Sequence, residues 1–333
     1  MRFVIIGLGS MGKRRIRNLQ ALKHKQIVGF DIQPERRREA EEKYGIKTSP
    51  TFEEALSQRP DAVIVSTPPN LHIRYAMEAA RRNINFFLEA SVLIDGMDEL
   101  IAECKGKNII AAASSTMRFH PSIQTMKRLV DENAIGKILA FNYHSGQYLP
   151  DWHPYEDYRK YYVSRKETGG CREIVPFELS WVTWLLGPVK KLSCMMGKLS
   201  RIEADIDDIY QMLLQFKNGA IGSMQVDVIS RLPFRFFRMI SDEGVITWDK
   251  NLRLVTVYKA STKKTEEYPE EEGVVVEGYF MEDNMYIKEM QHFIEAVEGK
   301  HEYMYSLEDD HRILKLLYGA ETSSDSGVTV ETN

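Results

Sequence analysis

Two rhythms of apolar and polar positions divide this chain. From residue 1 to about 120, runs of consecutive apolar residues (RFVIIG, IVGFD, AVIVS, INFFL and NIIAAASS) alternate with helically spaced stretches near residues 11–24, 34–44, 51–58, 70–82 and 95–105. Strands that stay apolar on both sides of the pleat, with helices between them, predict a parallel sheet covered on both faces. Residues 1–120 are therefore expected to form a doubly wound α/β domain.

Beyond a helix predicted within MRFHPSIQTMKRLVDENAIGK, the rhythm changes. GKILAFNYHSGQYL, DIYQMLLQFKNGAIGSMQVDVIS, FRFFRMISDEGVITWD and LRLVTVYKA are rich in β-branched and aromatic residues, and Asn218-Gly219 is a hairpin signal. Residues 121–333 are expected to form a second α/β domain on an open, largely antiparallel sheet. Its predicted helices lie near 174–186, 281–298 and 307–320, and the polar tail SSDSGVTVETN is expected to fray. Pro176 disfavours helix in the residues just before it.

Composition narrows the picture. At 333 residues, 43% hydrophobic and 28% charged, the chain can bury two cores. A net charge of -4 argues against a nucleic-acid partner. The basic cluster Lys13, Arg14, Arg15 and Arg17 reads as the solvated side of a helix whose Ile16, Leu19 and Leu22 face inward. Three widely spaced cysteines without a CxxC pair fit a reducing compartment, and neither His144 nor His153 has metal-site spacing. With no leader and no apolar run of membrane-spanning length, a cytoplasmic protein without a membrane partner is expected.

Candidate chemistry begins in GLGSMG, residues 7–12. Gly7, Gly9 and Gly12 have the GxGxxG spacing directly after a strand and at the start of a helix. That context suits a dinucleotide: a tight turn, backbone close to a pyrophosphate, and close helix packing. Leu8, Ser10 and Met11 complete the loop. Asp31 ends the next strand, 19 positions after Gly12, where a carboxylate can bind ribose hydroxyls. It favours NAD over NADP, although Arg36, Arg37 and Arg38 leave NADP open; Ile32 lies beside it. In AVIVSTPPNLH the strand ends at Ser66, and Thr67, Pro68, Pro69, Asn70 and His72 form a turn and helix start that can wall the cofactor. Glu89 and Ala90, at the end of the strand INFFL, and Arg118, after NIIAAASS, lie on the same side of the sheet.

These residues together resemble the Gfo/Idh/MocA family, the glucose–fructose oxidoreductase and inositol dehydrogenase superfamily. The likeness rests on GLGSMGKRRIRNL, Asp31, STPPNLH, the strand ending at Glu89, RFHP, and GG…WLLG at 169–187, and it spans the whole chain. It implies a Rossmann domain followed by an α/β domain with an open mixed sheet. It also implies nicotinamide-dependent hydride transfer at a hydroxyl of a sugar, sugar nucleotide or cyclitol, in a homodimer or homotetramer assembled through the open sheet. Two departures stand out. The family's Glu-Lys-Pro is here Glu89-Ala90-Ser91, and its acid–base histidine is missing from GGCREIVPFELSWVTWLLG, where Phe177 or Leu179 takes the position. No histidine occurs between His153 and His292.

Removing a hydride from an alcohol requires a group that takes the hydroxyl proton. The polar candidates in this helix are Arg172, Glu173 and Glu178, and a carboxylate among apolar residues should have a raised pKa. Glu173 and Glu178 are five apart and cannot both point the same way; either could instead pair with Arg172. The aromatic stretch SGQYLPDWHPYEDYRKYYVSRKETGG suits a loop that stacks on a sugar face, or one that packs on the sheet or a partner subunit, and it supplies His153 and Tyr162. His120 is a further candidate for ligand contact. The expected function is an NAD(P)-dependent oxidoreductase on a carbohydrate-like substrate. A redox-neutral NAD-assisted enzyme and a non-catalytic dinucleotide-binding sensor or assembly protein remain as alternatives.

Overall fold

The computed structural model describes residues 1–152, 157–271, 273 and 282–332. His153 lies outside them. The first eleven elements are β1 (Arg2–Ile6), α1 (Ser10–Ala21), β2 (Gln26–Phe30), α2 (Pro34–Tyr44), β3 (Lys47–Ser49), α3 (Phe52–Ser57), β4 (Ala62–Val65), α4 (His72–Arg81), β5 (Asn85–Leu88), α5 (Met97–Cys104) and β6 (Ala111–Ala113). There follow α6 (Pro121–Asp131), β7 (Ile138–Tyr148), α7 (Cys171–Leu186), β8 (Val189–Gly197), β9 (Ile209–Phe216), β10 (Ile221–Asp227) and β11 (Ile229–Ser241). The chain closes with β12 (Gly244–Asp249), β13 (Leu254–Lys259), β14 (Lys264–Pro269), α8 (Asp283–Val297), α9 (Leu307–Ser326) and β15 (Val330–Glu331). Two compact units result: Met1–Thr116 with Glu282–Arg312, and Met117–Met281 with Ile313–Asn333.

In the first unit a parallel sheet runs in the order β3-β2-β1-β4-β5-β6. Its central strands are buried on both faces, which is why their sequences read as unbroken apolar runs. The strand order reverses between β1 and β4, the point at which a doubly wound sheet opens a crevice for ligands at its carboxyl ends. Six strands form where five runs were expected. The additional strand, β3, is the polar triplet Lys-Thr-Ser at the edge of the sheet, too short and too polar to carry a periodic signal.

Helix α8 belongs to this unit, not to the domain expected at 121–333. Its Met290, Phe293 and Ile294 join Ile5, Ile16, Leu19 and Phe87 in one core. An apolar stripe shows that a helix will pack, and leaves open which core receives it.

The second unit is built on a nine-stranded sheet in the order β14-β13-β12-β11-β7-β10-β9-β8-β15, with β7 and β10 parallel and all other neighbours antiparallel. Alternation along β7 buries Phe141, Tyr143 and Ser145 and leaves Asn142 exposed. Trp181 of α7 packs on the inner face, its ring 5.0 Å from Tyr143, 5.2 Å from Phe237 and 5.8 Å from Trp248. The Asn218-Gly219 turn forms as expected, with Gly219 at φ +97° and the Asn218 side chain accepting from the Ala220 amide.

Two expectations for this unit need correction. Helix α7 begins at Cys171, so Pro176 sits inside it; the ring leaves one carbonyl without its helical donor while the apolar face, from Val175 to Leu186, still pays for the helix by packing. The tail is ordered as well. α9 continues to Ser326 and β15 pairs with β8. The serines that looked solvated hold the tail down: Ser323 accepts from the Cys194 amide (3.0 Å) and donates to the Val328 carbonyl (2.6 Å), and Ser324 accepts from the Met196 amide. Among the described residues, no helix is long and apolar enough to cross a membrane.

Ser323→Ala is expected to leave the Cys194 amide unpaired and lower the unfolding free energy of the chain by about 1–2 kcal/mol, read as a shifted urea midpoint at unchanged slope.

Candidate functional site

The glycine loop of the first unit is shaped by contacts that only glycine allows. Gly7 has φ +88°, and a Cβ there would lie 2.5 Å from the Ser66 carbonyl oxygen. A Cβ on Gly12 would fall 1.9 Å from the Gly7 oxygen. The loop is thus pressed against the end of β4 and against the first turn of α1, and Gly9, the residue before that helix, keeps its face open except for the Arg36 guanidinium. Ser10 and Met11 form the first turn of α1. The first amides of a helix are the groups that can cradle a pyrophosphate.

Asp31, directly after β2, accepts from the Leu8 amide (2.8 Å) and the Gln33 amide (2.8 Å), with Arg36 Nη1 3.6 Å away. This fixes the carboxylate beside the loop. Ile32 is exposed on its far side, and Arg37 caps the Asp31 carbonyl. The Thr67-Pro68 turn leads into a short helical turn, Pro69–Leu71, that contains Asn70. His72 is buried and its Nε2 lies 2.8 Å from the Thr67 carbonyl oxygen; burial drops its pKa to about 4, so the ring stays neutral and pins the turn. These groups fit NAD: a cradle that a Cβ would fill, a helix start for the phosphates and a carboxylate for the ribose.

Glu89 has lost its lysine neighbour and gained a different cation. Arg15 clamps it in bidentate fashion, with Nε to Oε1 at 2.6 Å and Nη2 to Oε2 at 2.8 Å, and Ser66 donates to Oε1 at 3.1 Å. Arg15 is completely buried, lies over the Phe87 ring and also reaches Glu289 of α8 at 2.9 Å. Arg14 is buried too, 2.9 Å from Asp283. The reading of this basic cluster as a solvated face is therefore wrong for Arg14 and Arg15. Their charges are matched by carboxylates of α8, more than 260 positions along the chain, and no local pattern foretells such a partner.

In the second unit the structure separates the two glutamates of α7. Glu178 is fully buried and saturated: Arg235 Nε (2.9 Å) and Ser145 (3.3 Å) donate to Oε1, Tyr143 (2.6 Å) and Trp181 Nε1 (2.7 Å) to Oε2. No lone pair remains for a substrate proton, so the geometry assigns this group to the core. Arg172 pairs with neither glutamate. It binds Glu321 of α9 (2.6 Å) and the Glu167 carbonyl. Arg118 donates to the Ser180 carbonyl, and His120 packs edge-on against Trp248 with Glu270 3.6 Å away. His144 lies 2.6 Å from Asp227.

Glu173 is different. The Tyr162 hydroxyl donates to Oε1 at 2.9 Å, and Oε2 has no hydrogen-bond partner among the described residues. Burial pushes its carboxyl up to about 7, against the lowering effect of Tyr162; the residue as a whole is half-buried, with Oε2 itself buried. Tyr161 stands beside Tyr162, ring centres 5.8 Å apart. The sequence brought forward both members of this pair; their contact came only from the fold, across a loop and a helix start. Among the described residues no group of side chains could hold a metal ion.

A doubly wound parallel sheet with an intact glycine loop, joined to a mixed sheet with one helix-covered face, defines a nicotinamide-dependent oxidoreductase. Residues 1–113 match the oxidoreductase family with an NAD-binding Rossmann fold, and residues 123–247 match the GFO/IDH/MocA C-terminal domain. The chain belongs to the Gfo/Idh/MocA family. It is 23% identical over 264 residues to levoglucosan dehydrogenase of Pseudarthrobacter phenanthrenivorans, covering 70% of this chain and 67% of that protein. It is also 23% identical over 254 residues to 2,7-anhydro-N-acetylneuraminate hydratase of Mediterraneibacter gnavus, covering 74% and 67%. In fold it is similar to an oxidoreductase from Agrobacterium radiobacter solved with NAD+, L-tartaric acid and magnesium (TM-score 0.89, 16% identity, 100% of this chain and 98% of that one). Levoglucosan dehydrogenase with NADH is similar too (TM-score 0.87, 19% identity, 100% and 99%).

Arg235→Met strands Glu178 as a buried charge and is expected to cost about 3–5 kcal/mol in urea unfolding; a loss below about 1 kcal/mol would show that Glu178 is not held as an ion pair.

Proposed function

We propose that this oxidoreductase transfers hydride between NAD and a hydroxyl-bearing carbon of a carbohydrate-like small molecule, with Tyr162 and Glu173 handling the proton. The observation that carries this reading is the Tyr162–Glu173 hydrogen bond, with one carboxylate oxygen left without a hydrogen-bond partner among the described residues. Gly7 through Gly12 would hold the pyrophosphate and Asp31 the ribose, with Ile32, Arg36, Thr67, Pro68, Pro69 and Asn70 as walls, His72 fixing the turn, and Glu89 and Ala90 at the nicotinamide end. Bound NAD+ supplies the hydride acceptor. Glu173, ionised, takes the substrate proton directly or through the Tyr162 hydroxyl, and returns it in the reverse direction. The pair replaces the histidine that Phe177 or Leu179 displaced. Levoglucosan dehydrogenase among the relatives supports a sugar or anhydrosugar as substrate.

A redox-neutral reaction through a transient ketone is the second reading. It is favoured by likeness to two 2,7-anhydro-N-acetylneuraminate hydratases. A retained glutamate with a raised pKa supports an enzyme over a sensor.

We also propose a homodimer or homotetramer assembled through the sheet face opposite α7, where Met195, Leu213 and Ile221 are exposed on a diagonal across β8, β9 and β10. Three free cysteines, two of them buried, support a reducing compartment, the cytoplasm.

With NAD+ and a panel of sugars, anhydrosugars and cyclitols, absorbance of the reduced cofactor should rise for the true substrate. Product formation without net reduction would establish the redox-neutral reading. Glu173→Gln and Tyr162→Phe should each lower kcat by about 10²–10⁴-fold with NAD affinity unchanged. Because the base must be ionised, kcat/KM for oxidation should rise with pH and level off above about 7, and Glu173→Gln should abolish that step. Wild-type turnover in both variants would dismiss the pair. Light scattering should find a multimer that the double variant Leu213→Glu, Ile221→Glu reduces to monomer.

A further inference from the structure

Glu289 is a fully buried carboxyl for which hydride transfer has no evident use. It reaches from α8 to the residues that follow β6, where it accepts from the Ser114 hydroxyl (3.0 Å), the Ser115 amide (2.8 Å) and the Thr116 hydroxyl (2.8 Å). Among the described residues its one ion-pair partner is Arg15, and Arg15 is already clamped on Glu89. A single guanidinium therefore faces two carboxylates, and the trio carries one excess negative charge when both are ionised. The other charges along α1 and α8 do not relieve it: Arg14 and Arg17 are held at Asp283, 2.9 and 3.4 Å away. Two further titratable groups face the cluster: Tyr286 of α8, whose phenol burial keeps protonated, and His72 of α4, within electrostatic reach of Glu89, whose ring burial keeps neutral. Ser66, from the end of β4, is uncharged. Burial and the nearby Glu89 raise the Glu289 pKa while Arg15 lowers it, and the net direction is upward, so this carboxyl takes up a proton more readily than an ordinary glutamate.

The trio lies at the carboxyl end of the parallel sheet. Glu89 directly follows β5 and is bonded to Ser66, whose carbonyl presses on Gly7 of the cofactor loop. A charge of this kind, poorly screened, distinguishes a cationic ring from a neutral one. The nicotinamide ring is cationic in NAD+ and neutral in NADH.

We propose that the Arg15–Glu89–Glu289 trio selects between the oxidation states of the bound nicotinamide, its ionised form favouring NAD+ and the Glu289-protonated form favouring NADH. Binding of NAD+ then releases part of a proton and binding of NADH takes one up. This inference rests on the proposed place of Glu89 at the nicotinamide end of bound NAD, and holds whatever the substrate and whichever group handles its proton.

The test measures dissociation constants of NAD+ and NADH for the full chain between about pH 5.5 and 9, with calorimetry in two buffers of different ionisation heat to count protons. The ratio Kd(NADH)/Kd(NAD+) should rise about tenfold across this range, with proton counts of opposite sign for the two cofactors. Glu289→Gln should flatten the ratio to within about twofold, whereas Glu173→Gln should leave it pH-dependent, which separates this inference from the proposed acid–base pair. Should Glu289→Gln fail to fold, Thr116→Val removes one donor to the carboxylate and must move the midpoint of the ratio to higher pH. A ratio independent of pH in the wild-type protein, one that survives Glu289→Gln, or a midpoint that Thr116→Val leaves in place would overturn the proposal.

Discussion

A charge taken out of water has to be matched by another, and in this protein that requirement shapes both units. In the first, Arg15 ties the glycine-loop helix to the end of β5 and to α8, so three segments far apart in sequence meet at one guanidinium. Removing Arg15 would leave two buried carboxylates without that cation, a penalty larger than most packing defects. In the second, Arg235 does the same for Glu178 under the sheet, with a tyrosine and a tryptophan filling the remaining lone pairs. The cofactor loop and the helix that bears Glu173 are both anchored in this way.

The two departures from the family pattern acquire physical content once these networks are seen. Without a lysine at Ala90, Glu89 still has a cation, supplied from below the sheet end by α1. Without a histidine on α7, the helix still offers an ionisable group, since Glu173 stands near its start with a tyrosine hydroxyl at hydrogen-bond distance. What distinguishes Glu173 from Glu178 is satisfaction. Among the described residues one carboxylate has every oxygen engaged and the other has one without a hydrogen-bond partner. Buried polar groups are ordinarily paired, which sets Glu173 apart from Glu178.

Much of this was legible along the chain. The parallel sheet announced itself because strands buried on both faces must be apolar throughout, and the glycine loop because only glycine permits the approaches at Gly7 and Gly12. Less was legible where a polar residue has a distant partner. Lys47–Ser49 pairs as an edge strand without a periodic signal of its own, and Ser323 and Ser324 staple to β8 a tail that read as frayed, because their hydrogen bonds are made with backbone that the local pattern does not show. The same blindness hid Arg14 and Arg15 among ordinary surface charges.

The sequence by itself determined the class of fold, the family, the dinucleotide loop and the absence of the usual lysine and histidine, because each is written in residues close together in the chain. Only the tertiary structure decided which of the two α7 carboxylates is saturated by hydrogen bonds, which arginines are buried, and which core receives α8. Those outcomes depend on contacts between residues from tens to hundreds of positions apart, where pairing and desolvation, not local periodicity, set the energy.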